Sequence, residues 1–80
     1  MHEIHLLGDL LKDLIKHGEE QKAKKITKVY LKMGTFTEIN PEILLHFFGE
    51  KAKGTIAEGA EIEIESSEAR ELRLVSFDCE

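Results

Sequence analysis

Nitrogen donors crowd the start of the chain: the Met1 amine, the His2 imidazole and the backbone amides that lead to Glu3. An unblocked amine one residue before a histidine can close small chelate rings around a single ion. Such a nitrogen-rich, square-planar set suits Ni(II) or Cu(II), whereas Mg(II) and Ca(II) prefer oxygen. Imidazole serves well because it is largely neutral near physiological pH. The competing reading is a frayed terminus with an incidental histidine. His5 then opens a polar stripe with Asp9, Asp13 and His17, each four residues apart. Neighbouring pairs on it could hold a metal, but any solvated helix face shows the same spacing, and the solvated face is the expected one. His5 is the member that would matter, as an extra ligand one turn from His2. His46, beside Phe47-Phe48, reads as a histidine at the core boundary, and Cys79 as a strand residue. No Ser, Cys or Lys is flanked by a convincing base, and no glycine-rich phosphate loop occurs. The chain reads as a binding module, not an enzyme.

The elements that must position these groups come from 80 residues, enough for one small domain over 1–80 with a lean core. Hydrophobic content of 41% with 34% charged residues fits a soluble, folded chain. A net charge of −5 argues against a nucleic-acid partner, which would need a basic footprint. No apolar run approaches a membrane span, and Glu3 and Asp9 interrupt the apolar start that a secretory signal would need. The single cysteine can neither close an internal disulfide nor build a zinc site alone. A cytoplasmic protein is the expectation.

Ile4, Leu7, Leu11 and Leu14, widened by Leu6, Leu10 and Ile15, predict an amphipathic helix over 3–17. It ends at Gly18 or continues weakly toward Ala23. Residues 26–33 alternate as a strand, with Thr27, Val29, Leu31 and Met33 on one side and Lys28, Tyr30 and Lys32 on the other. After a loop over 34–39, Asn40-Pro41-Glu42 is a strong helix start. Ile43, Leu44, Phe47 and Phe48 form the buried face of that helix, and Gly54 is its natural C-cap. Glu61 to Glu65 is a strand with isoleucines inward and glutamates outward. Residues 66–70 read as a turn into a last strand over 71–79, whose apolar pattern changes face near Val75, by a bulge or by burial on both sides. Strand–helix–strand predicts a parallel crossover, and the short final turn predicts an antiparallel hairpin. The expected fold is α+β: a small three-stranded mixed sheet packed with two helices, in the order helix, strand, helix, strand, strand. Its exposed strand edges make a homodimer an expectation as well.

Met1-His2-Glu3 opening an amphipathic helix, a strand ending at Met33-Gly34, the helix start Glu38-Ile39-Asn40-Pro41-Glu42, the run from Gly54 to Ile64 and the closing Glu71 to Phe77 together resemble the HypA family. Members are nickel metallochaperones that mature [NiFe]-hydrogenases and, in some bacteria, urease. The resemblance implies a nickel site made by the Met1 amine, the His2 imidazole with its backbone nitrogen, and the Glu3 amide. It also implies two partners, a HypB-like GTPase and the hydrogenase large subunit. One departure is large. The family's zinc-binding module, with two CxxC-type pairs, is expected between the last two strands, where only Ser66 to Arg70 stand here. The expectation is therefore Ni(II) without structural zinc. The alternative is a metal-independent scaffold that kept the fold and docks a maturation partner.

Overall fold

The computed structural model describes residues 4–80. α1 spans Ile4–Glu20. Its i, i+3, i+4 apolar spacing buries Leu7, Leu10, Leu11 and Leu14. Ile4, placed in that stripe from its spacing, is 40% exposed, in an open groove shared with Phe47. Gly18 does not end the helix. It is buried inside it, where a Cβ would come within 2.8 Å of Ile56 Cδ1 and 3.0 Å of Ile26 Cδ1. The helix stops two residues later. Lys22 takes a left-handed conformation (φ 59°), and the Ala23 and Lys22 amides donate to the Gly18 and Glu19 carbonyls. That is a Schellman cap with lysine where glycine is usual.

β1 (Ile26–Met33) is the central strand, and Ile26, Val29, Leu31 and Met33 are all buried. An irregularity between Ile26 and Lys28 turns Ile26 inward and leaves Thr27 off the core face. The Thr27 hydroxyl donates instead to the Asp78 carbonyl at 3.2 Å. α2 (Pro41–Lys51) begins as its sequence dictates: Asn40 Oδ1 accepts from the Ile43 amide at 2.8 Å, with proline next and Glu42 in the first turn. Ile39, read as loop, is buried. With Leu44 it fills the two positions of a hydrophobic staple. Leu44 and Phe48 form the inward face of α2, Phe47 is half-buried, and Ile43, expected in the core, is 37% exposed. The cap falls at Ala52, and Gly54 (φ 81°) makes the left-handed turn two residues on.

β2 (Glu61–Ser66) runs parallel to β1, with Val29 beside Ile62 and Leu31 beside Ile64. The crossover through α2 is thus the expected one. β3 (Leu72–Cys79) is antiparallel, but to β1 and not to β2. The sheet order is β2-β1-β3, so the expected β2–β3 hairpin does not form. The link over 67–71 instead crosses the end of β1. The Ser67 amide donates to the Met33 carbonyl on one side, and the Gly34 amide to the Glu71 carbonyl on the other. β1 is the strand with enough apolar surface to sit at the centre, whereas β2 is only half-buried. The change of face near Val75 is a bulge: the register with β1 shifts between Tyr30 and Leu31, and Val75 is half exposed. The α+β class, three-stranded mixed sheet and two helices match expectation. The outer face of the sheet carries charges. Lys28 lies 3.3 Å from Glu61 and 3.5 Å from Glu63, and Tyr30 donates to Asp78 Oδ2 at 2.9 Å.

Candidate metal site

Met1, His2 and Glu3 lie outside the described residues. What the structure positions is the helix that follows them. α1 is described from Ile4 onward, and His5 stands exposed on it. An open groove of about 380 Å³ runs beside it, lined by Ile4, His5, Gly8, Asp9, Lys12 and Phe47. Gly8 forms part of its wall, since a Cβ there would only reach ordinary contact with Phe47 Cζ at 4.0 Å. Sequence spacing did not reveal this groove, because it joins residues of α1 to one of α2 some forty positions away. The available signal was the glycine interrupting a leucine-rich helix opposite a phenylalanine pair.

Asp9, Asp13 and His17 are exposed along α1, as a solvated face should be, and His17 Nδ1 lies 3.4 Å from Glu20 Oε1. Among the described residues no three His, Cys, Asp or Glu side chains gather around a point that could hold an ion. His46 is exposed on α2, facing away from the buried Leu44 and Phe48. Cys79 is an exposed residue at the end of β3, as its strand reading required. No described helix is long and apolar enough to cross a membrane.

Charge outside this end is arranged in local pairs. Lys28 has its pKa raised, first by its hydrogen bond to Glu61 and then by the charges of Glu61 and Glu63. The hydrogen bond to Asp78 raises that of Tyr30. Glu71 is held below the ordinary carboxylate value by the Ser67 hydroxyl, which donates to it at 2.5 Å, and by Arg73 at 2.9 Å. These groups brace the sheet and the link, far in sequence from His5.

The family described as hydrogenase/urease nickel incorporation, metallochaperone, hypA matches residues 1–79. The chain belongs to the HypA family. The hydrogenase maturation factor HypA of Archaeoglobus fulgidus is 41% identical over 64 residues, which is 80% of this chain and 58% of that protein. Its counterpart in Chlorobaculum tepidum is 36% identical over 70 residues, 88% of this chain and 62% of that protein. That of Pyrococcus horikoshii is 35% identical over 69 residues, 86% and 50% respectively. The chain therefore spans between 50% and 62% of the length of these HypA relatives. The solution structure of the Ni metallochaperone HypA from Helicobacter pylori superposes with a TM-score of 0.76, covering 99% of this chain and 97% of that one. At 14% identity that likeness speaks for the HypA fold alone. HypA proteins are described by the metal they incorporate, not by a reaction they catalyse.

Proposed function

We propose that this chain carries Ni(II) at its amino terminus and hands it to the large subunit of a [NiFe]-hydrogenase in the cytoplasm, together with a HypB-like GTPase. The ligands are the Met1 amine, the His2 imidazole and backbone nitrogen, and the Glu3 amide, with His5 as an extra donor from α1. Four nitrogens in a plane match the preference of Ni(II). The observation that carries this reading is the match to a nickel-incorporation family that begins at residue 1, close to an exposed histidine, His5, on α1. Residues 1–80 act in this reading as one nickel-binding domain, with the 66–70 region standing where the family's zinc module is expected, so that nickel is bound without structural zinc.

The test is a nickel titration by calorimetry and absorption spectroscopy on protein with a native, untagged amino terminus. One-to-one binding with a square-planar spectrum is expected. His2→Ala and a two-residue extension ahead of Met1 should each abolish it without changing the fold. Equal binding by the His2→Ala protein would place the metal elsewhere and leave a metal-independent scaffold as the better reading.

A further inference from the structure

We propose that the free edge of β2 is a docking site for an extended segment of a partner protein in which basic and apolar residues alternate. β2 pairs only with β1 among the described strands, so its other side offers backbone donors and acceptors. Its register against β1 runs unbroken from Lys28–Glu61 to Met33–Ser66. The opposite edge, β3, is shifted twice. Bulges, prolines and charged side chains, lysine above all, discourage pairing at exposed edges. β2 has no bulge, proline or lysine, and its three glutamates repel an acidic strand but not a basic one. It is a regular edge left open.

The two faces beside that edge specify what it would take. On the outer face Glu61, Glu63 and Glu65 are 72%, 62% and 71% exposed. Lys28 serves the first two, and Lys32 reaches the third only at 3.9 Å. Both lysines stand on β1, so the far side of each carboxylate remains open to a cation from a new strand. On the inner face a groove of about 390 Å³ lies between α2 and the start of β2, lined in part by Leu45, Gly49, Ala60 and Ile62. Leu45 is 46% exposed, and a Cβ on Gly49 would meet nothing within 4 Å. Lys53 stands at this groove too, engaged by Glu50 at 3.2 Å. A strand sends successive side chains to opposite faces. One added to β2 would therefore set alternate residues against the glutamates and the others into the groove. Lysine or arginine alternating with an aliphatic residue meets both demands, and backbone pairing supplies the rest. A second copy does not fit, because β2 against β2 would put glutamate opposite glutamate.

The probe is a fluorescent, acetylated hexapeptide alternating lysine and valine, compared with one of the same composition in blocks, using anisotropy and NMR amide exchange. The alternating peptide should bind and protect amides within 61–66, with the block peptide about tenfold weaker or worse. Replacing the three carboxylates together (Glu61→Gln, Glu63→Gln, Glu65→Gln) should weaken binding about tenfold, the sum of three cross-strand charge pairs. Gly49→Leu, which fills the groove from an open position, should weaken it comparably while leaving the β1 and β3 amide spectrum unchanged. Equal binding of the block peptide, protection on β3, no detectable binding, or self-association through β2 would each overturn the proposal. None of these outcomes depends on nickel or on His2.

Discussion

The carbonyl oxygen of Ala69 occupies the place where a Cβ on Gly34 would stand. The link from β2 to β3 passes this close because it must step over the end of β1 within five residues, held by Ser67 to Met33 on one side and Glu71 to Gly34 on the other. Arg70 adds a contact, its guanidinium 5.5 Å from the centre of the Phe36 ring. The requirement at Gly34 is for space.

Gly34→Ala should therefore destabilise the protein by about 3 kcal/mol, the upper part of the usual range for forcing extra volume against fixed atoms. Backbone, unlike the end of a side chain, cannot swing away. Gly49→Ala is the control: its Cβ meets nothing, and removing a helix-interior glycine should stabilise by about 1 kcal/mol. Chemical denaturation of the two variants checks both signs. A neutral Gly34→Ala would mean that the link does not cross where described.

Lys22 holds the left-handed position of the α1 cap at φ 59°. A side chain there costs roughly 1 kcal/mol or more that glycine does not incur. Lys22→Gly should raise the melting temperature, by a margin reduced by the entropy glycine adds to the unfolded chain. Lys22→Val, β-branched at the same position, should lower it.

Tyr30 is the only tyrosine and the chain has no tryptophan, so its ionisation can be read directly in the ultraviolet. Its phenol donates to Asp78 and ionises above the ordinary 10.0 as a result. A folded-state value raised in this way stabilises the fold fully below 10.0 and stops doing so as pH rises through the folded value. The absorbance midpoint should lie above 10.0 in the native protein and fall toward it in Asp78→Asn. An identical midpoint in both would remove the hydrogen bond from the account.

Glu71 has the opposite sign. Held below 4.5 by Ser67 and Arg73, it stabilises the fold above that value and loses the contribution as pH falls through its folded value. The difference in melting temperature between the native protein and Glu71→Gln should be constant near neutrality and shrink below about pH 4.5. A difference that grows on acidification would contradict the assignment.

Local chemistry made most of the elements legible. The leucine periodicity of α1, the Asn40-Pro41-Glu42 start of α2 and the Ile–Glu alternation of β2 each leave one reading, and the structure agrees with all three. The strand order was not legible in the same way. A five-residue link permits either a hairpin or a step across a neighbour, and the choice depends on which strand is apolar enough for the centre. The clue was present: a strand with glutamate at every second position belongs at an edge, whereas Ile26 to Met33 buries four side chains. Ile39 was missed because a single apolar residue before an N-cap has no period. Of the proposed metal site the sequence offers the donor types, but Met1, His2 and Glu3 lie outside the described residues, and the structure adds only that His5 is exposed.

The crossing link has a last consequence, for chain length. Its two ends are fastened to opposite sides of β1, so what lies between Ser67 and Glu71 sets neither the register nor the order of the strands. Lengthening such a closed loop costs only about 0.6 kcal/mol per doubling. Extra chain inserted after Glu68, on the exposed side, would leave the three-stranded sheet beneath it unaltered. The same two clasps can serve a short strap or the neck of a whole appended module.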